Sequence, residues 1–170
     1  METTGPTSQP IGHYQFCQQY TEECEVRGEP ARVTLTPALW GQLIRVNVEV
    51  NLAIKPATDE DVYGLPEVWA YPTTRGDCED FALLKRRDLI EKGWPVGALL
   101  ITVVKQRNGE GHAVLTVLTN RGDLVLDELS PAVLVWDETP YYFIKRQSGV
   151  DSGAWVGIND THLSLTGSVQ

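Results

Sequence analysis

The chain has 170 residues, 42% hydrophobic and 22% charged, a balance that fits one domain with a real core. Lys plus Arg number 14 and Asp plus Glu 23, a formal charge of −9 that repels phosphate and argues against nucleic acid and anionic lipid as partners. No apolar run approaches the ~20 residues of a membrane span, and no export signal is visible.

Met1 to Pro10 is polar and rich in Thr, Ser, Gly and Pro, so it reads as a disordered lead-in to a single domain over residues 11–160. Ile11, Tyr14, Phe16 and Tyr20 predict a short helix, and Glu22 to Val33, with Gly28 and Pro30, a connection. Thr36 and Pro37 have the chemistry of an N-cap and a first helical residue. Apolar residues from Leu39 to Ile54 continue that helix until Lys55-Pro56 stops it. Lys55 to Thr74, with Pro56, Gly64, Pro66 and Pro72, reads as loop, pinned in places by Trp69 and Tyr71.

A second helix begins at Asp77 or Cys78 and ends near Lys92, with Gly93 and Pro95 as stop signals. Strand patterns follow at Gly97–Val104, His112–Thr119 and Leu124–Leu129, separated by Asn108-Gly109-Glu110-Gly111 and Asn120-Arg121-Gly122-Asp123 turns. Tyr141–Lys145 and Trp155–Ile158 add two more, and residues 161–170 read as a frayed tail. Helices first and antiparallel strands afterwards predict an α+β fold, with the N-terminal helices packed on an antiparallel sheet.

The sharpest chemical signal is Gly76-Asp77-Cys78-Glu79-Asp80-Phe81. Cys78 falls on the first helical turn, where free N–H groups and the helix dipole favour a thiolate. A nucleophilic cysteine at a helix start, served by a histidine from a separate strand, is the papain-like arrangement. A lone cysteine there is also an ordinary small core residue, but an inert thiol needs no carboxylates around it. Asp77, Glu79 and Asp80 complement the helix dipole, and Asp77 with Asp80 resembles a capping box. Three negative charges also raise the pKa of a neighbouring thiol, a conflict that a bound cation resolves; oxygen ligands of this kind suit Ca²⁺.

Of the three histidines, His13 lies in the loose start and His162 in the polar tail. His112 follows Gly109-Glu110-Gly111 and opens a strand, which makes it the candidate base. Asp127 is a carboxylate on the apolar face of Val125 and Leu129, so it needs a partner, and an imidazolium is a natural one. Glu128 points the other way, toward solvent if that face is open. A hairpin turning at Arg121-Gly122 sets Asp127 opposite Thr116, about 13 Å of strand from His112, a gap that a bulge, loop or twist must close. Cys17 and Cys24 are either a disulfide or two reduced structural thiols. Asn47 and Asn51, one helical turn apart, read as structural hydrogen-bonding residues. Trp69 and Tyr71 are core or groove lining.

Tyr71-Pro72, the Asp-Cys-Glu-Asp block, Leu99 to Val104, Gly111-His112-Ala113 and Gly122 to Asp127 together resemble the bacterial transglutaminase-like cysteine proteinases, whose best-known members are the LapG-type periplasmic proteases. The resemblance extends over Val46-Asn47 to Trp69 and Phe143 to Ser148. It implies a papain-like, transglutaminase-like fold and a Cys-His-Asp triad of Cys78, His112 and Asp127. It implies a calcium site formed by Asp77 and Glu79, with Asp80 as a further ligand. It also implies export to the periplasm, in agreement with a Cys17–Cys24 bridge. Members of this type clip large surface adhesins near a di-alanine site, release biofilm cells, and answer to an inner-membrane cyclic-di-GMP receptor. A triad of this kind forms a thioester that water hydrolyses; the rivals are acyl transfer to an amine, as in transglutaminases and amidases, and a non-catalytic binding module on the same fold.

Overall fold

The computed structural model describes residues 1–162. The elements run β1 (Thr3–Thr7), α1 (Ile11–Gln19), α2 (Pro37–Ala53), β2 (Lys55–Pro56), α3 (Asp59–Tyr63), β3 (Arg75–Gly76), α4 (Cys78–Glu91), β4 (Leu99–Lys105), β5 (Gly111–Thr119), β6 (Gly122–Leu126), β7 (Leu134–Val135), β8 (Tyr142–Gln147) and β9 (Trp155–Ile158). Seven strands form one sheet in the order β1-β9-β8-β4-β5-β6-β7, every pair antiparallel, while β2 and β3 form a small parallel pair. This is the expected α+β architecture.

The two long helices start and stop where local chemistry dictates. Thr36 Oγ1 accepts the Leu39 N–H at 3.2 Å, and Pro37 occupies the first turn of α2. Gly93 adopts φ +89°, and Trp94 N–H returns to the Leu89 carbonyl at 3.0 Å, closing α4. The helices lie on one face of the sheet. Phe16 of α1, Leu43, Val46 and Val50 of α2, and Phe81, Leu83 and Leu89 of α4 share a core with Leu99 and Ile101 of β4, Leu115 and Val117 of β5, and Leu124 and Leu126 of β6. Each such side chain, fully buried, contributes roughly 2 kcal/mol by leaving water. The alternate residues Val104, Val114 and Val125 face the other way and pack with Tyr141 and Phe143.

Three expectations need correction. Residues 3–7, expected within a disordered lead-in, form an edge strand paired with β9; its main chain supplies the pairing, so polar, exposed side chains are no obstacle. The stretch expected as loop between residues 55 and 74 contains α3, whose N-cap Thr58 accepts the Asp61 N–H at 3.2 Å. The β5–β6 hairpin turns at Asn120-Arg121, so that Thr119 pairs with Gly122 and Thr116 with Val125. The two-residue loop shifts the expected register and carries Asp127, one residue beyond β6, closer to His112. Residues 163–170 of the expected tail lie outside the described residues. Among the described residues, no helix is long and apolar enough to cross a membrane.

Candidate active site

Cys78 is the first residue of α4, after the N-cap position of Asp77. The helix head is tied down by Asp80, which is fully buried and accepts the Ala70 N–H at 2.8 Å. Gly76 is required here because a Cβ at that position would lie 2.6 Å from Asp80 Oδ2. Asp77 makes no side-chain capping bond. The expected capping box is absent: Asp80 is drawn to the loop at Ala70, and Asp77 turns into the acidic group described below.

The thiol lines a cleft of about 250 Å³ together with Glu67, Glu79, Val103, Gly111, His112 and Ala113. Its hydrogen bond runs to Glu79 Oε2 at 3.0 Å. Burial pushes the Cys78 thiol far above its usual range, the Glu79 carboxylate adds to that, and the Ala113 backbone N–H opposes it. The lowering expected from the helix start is therefore overridden by desolvation and by the adjacent carboxylate.

His112, the second residue of β5, is 5% exposed and its Nε2 lies 2.8 Å from Asp127 Oδ1. The register accounts for the approach. Since Leu115 pairs with Leu126, Asp127 falls level with Val114, a diagonal neighbour of His112, at about 7–8 Å between backbones. No bulge is needed. Asp127 Oδ1 also accepts the Leu129 N–H at 3.0 Å, and Oδ2 accepts the Tyr141 hydroxyl. Burial alone would raise the Asp127 pKa; the bonds from His112, Tyr141 and Leu129 outweigh it and hold the carboxyl below its usual range.

The backbone around Asp127 is clamped by α2. Asn47, fully buried, accepts the Asp127 N–H at 3.1 Å and donates to the Ser130 carbonyl at 2.9 Å. Asn51 Nδ2 donates to the Asp127 carbonyl at 2.9 Å. The structural role expected for both asparagines is thus to fix the segment bearing Asp127.

Carboxylate oxygens of Asp59, Asp77 and Glu79 all lie within 4.8 Å of one another. Asp59 is 5% exposed; its Oδ2 accepts the Val68 N–H, while Oδ1 is buried without a hydrogen-bond partner, as is Asp77 Oδ1. Burial, then the charges of Glu79 and Asp59, pushes Asp77 up to about 9; burial likewise raises Glu79. Orphaned, buried carboxylate oxygens at this spacing fit a hard divalent cation such as Ca²⁺. Asp80 falls outside the trio within 4.8 Å, but it has the same pattern as Asp59: one oxygen accepts a backbone N–H, from Ala70, and the other is buried without a partner. Asp59 was not anticipated. Its only sequence signal is Thr58 followed by Asp59-Glu60-Asp61, the pattern of a short helix start. Glu128, expected to face solvent, is half-buried with Oε2 unpartnered and lines the groove beside Asp59 and Asp77.

Other singled-out residues are structural. His13 is buried between Trp69 and Trp155 and accepts the Trp155 Nε1–H at 3.1 Å; burial, with Arg86 nearby, lowers its pKa to about 3. Trp69 is 5% exposed and belongs to the core, and Tyr71 packs on Phe16 and Tyr20. Cys17 and Cys24 form a disulfide. His162 is bonded to Asp160 and lies edge-on to Trp136. Lys85, also not anticipated, is 1% exposed on α4; burial lowers its pKa to about 7, while Asp127 and Glu128 oppose that shift.

A family model described as bacterial transglutaminase-like cysteine proteinase matches residues 3–163. Comparison with curated proteins yields no match. Among solved structures, Legionella pneumophila LapG is similar at 27% identity and TM-score 0.60, covering 78% of this chain and 75% of that one. A calcium-bound form of that LapG matches at 26% identity and TM-score 0.60, over 72% of this chain and 71% of the other. An EGTA-treated form shares the fold at 24% identity and TM-score 0.61, over 75% and 71%. The chain belongs to the bacterial transglutaminase-like cysteine proteinase family, and is a cysteine peptidase.

Proposed function

We propose that this member of the bacterial transglutaminase-like cysteine proteinase family is a calcium-dependent endopeptidase, with Cys78 as nucleophile, His112 as base and Asp127 as orienting acid. The observation that carries the reading is the buried His112–Asp127 pair at 2.8 Å, whose imidazole opens onto the cleft that holds Cys78. Asp127 engages Nε2, which leaves Nδ1 for the thiol. His112 takes the Cys78 proton as sulfur attacks the scissile carbonyl. It then gives that proton to the leaving amine, and a thioester remains. Water attacks the thioester as His112 removes its proton, and the carboxylic acid leaves as the Cys78 thiol is restored. The backbone N–H of Cys78, at the head of a 14-residue helix, is an oxyanion donor.

Asp59, Asp77 and Glu79 would hold the calcium ion, with the buried, unpartnered Oδ2 of Asp80 as a further ligand. The ion would supply positive charge that offsets the carboxylates beside the thiol. The orphaned oxygens of Asp59 and Asp77 and the calcium-bound LapG structure support this assignment.

The substrate proposed is a large bacterial surface adhesin, cut at a di-alanine site in biofilm control, with an inner-membrane cyclic-di-GMP receptor as regulator. A periplasmic setting is supported by the Cys17–Cys24 disulfide, which persists in oxidising compartments. The test is proteolysis of candidate adhesins by wild type and Cys78→Ala, in calcium and in EGTA, with a labelled amine present. Cleavage by wild type in calcium alone is the expected result. Cleavage by Cys78→Ala refutes the nucleophile, and amine incorporation in place of cleavage favours acyl transfer.

A further inference from the structure

The two oxygens of Asp127 face different partners. Oδ1 is shared by His112 Nε2 and the Leu129 N–H, whereas Oδ2 accepts the Tyr141 hydroxyl at 2.5 Å. We infer that Tyr141 is a positioning residue of the catalytic network, locking the orienting carboxylate against His112 without touching substrate. The inference rests on the triad proposed above.

A carboxylate held through one oxygen alone remains loose about its last torsion, because the terminal torsion of Asp is broad. Tying both oxygens fixes the carboxylate plane, and so fixes the imidazole that bonds to it. Tyr141 reaches the pair from outside the β5–β6 hairpin. It immediately precedes β8, whose Tyr142 pairs with Lys105 of β4, and β4 in turn pairs Val104 with His112. Its ring lies 5.4 Å from the His112 ring, so one side chain packs on the base and donates to the acid. The residue is only 6% exposed. Burial and the Asp127 carboxylate both hold the phenol protonated, so that it acts as a donor throughout the working pH range.

A second feature gives the hydroxyl a specific task. Behind the pair lies a largely apolar cavity of about 220 Å³, lined by Val125, Leu129, Leu134 and Pro140 and by the hydroxyl residues Ser130 and Thr139, with Asp127 and Tyr141 in its wall. The cavity's two other hydroxyls are committed elsewhere, Ser130 Oγ to the Ala132 carbonyl and Thr139 Oγ1 to the Trp136 carbonyl, and the apolar neighbours offer Asp127 Oδ2 no donor. The phenol does, and it keeps a carboxylate at the edge of an apolar cavity paired.

The experiment compares wild type, Tyr141→Phe and Asp127→Asn. Turnover is read on a quenched-fluorescence peptide carrying an Ala-Ala pair, and the His112 ring N–H proton by NMR in a Cys78→Ala background. Tyr141→Phe keeps the ring, so a thermal midpoint close to wild type is expected. Its kcat should fall about tenfold with KM unchanged, the loss expected when a charge-assisted bond aligning a reacting group is removed. The His112 N–H resonance should persist but move, and in Asp127→Asn it should collapse. An unchanged kcat together with an unmoved resonance in Tyr141→Phe overturns the inference. Full activity in Cys78→Ala defeats the triad reading instead, and the resonance still decides whether Tyr141 acts on the His112–Asp127 pair.

Discussion

Replacing Asp77 by Asn should have opposite effects on the metal-free and calcium-loaded protein. The oxygens of Asp59, Asp77 and Glu79 lie within 4.8 Å of one another, so each ionised pair costs about 3.5 kcal/mol at an effective dielectric of roughly 20. The metal-free protein relieves this by keeping a proton on Asp77, whose pKa rises from 3.8 to about 9. Between those values the folded state binds a proton that the unfolded state lacks, so metal-free stability falls as pH rises through the window. Solvent reaches half-buried Asp77 and screens part of the repulsion. Asp77→Asn should therefore stabilise the metal-free protein by about 2–4 kcal/mol at pH 8, or about 5–10 °C for a chain of this size. Wild type should regain about 2.7 kcal/mol from calcium at a hundredfold excess over Kd, and the variant should lose most of that gain. Calorimetry in EGTA and in calcium, from pH 5 to 9, measures both. A metal-free midpoint that is flat or rises with pH, or an Asp77→Asn variant that is less stable in EGTA yet keeps the calcium gain, would refute the reasoning.

Asn47→Ala should destabilise by about 3 kcal/mol, because it removes two buried hydrogen bonds and strands the Asp127 N–H. It should also lower kcat more than KM, and denaturant unfolding alongside peptide turnover measures both effects. Reducing the Cys17–Cys24 bridge, a sequence separation of 7, should cost about 2–3 kcal/mol of stability. A lower thermal midpoint in dithiothreitol, with activity retained well below that midpoint, is the expected result.

Much of the site is legible locally. Cys78 announces itself because a helix start is a short-range pattern, with Gly76 before it and apolar helix behind. His112 is marked by flanking glycines and a strand onset. The acidic trio is only half legible. Asp77 and Glu79 flank Cys78, but Asp59 lies 18 positions before Asp77 in the chain and arrives through a single short helix. Asp80 ties one oxygen to the Ala70 N–H, a contact no local pattern announces, and keeps the other buried and unpartnered. The edge strand at Thr3–Thr7 has no side-chain signature, since main-chain pairing with β9 makes it.

From sequence alone came the α+β class, the helix that presents the thiol, and the residue types of the proposed triad, because helix caps, strand alternation and turn residues act over a few neighbouring positions. Only the tertiary structure decided that a two-residue hairpin brings Asp127 to His112, that Asn47 and Asn51 clamp it from α2, and that Tyr141 and Asp59 arrive from elsewhere in the chain. These contacts join residues far apart in sequence, and their geometry follows from strand register and from burial that forces each polar group to find a partner.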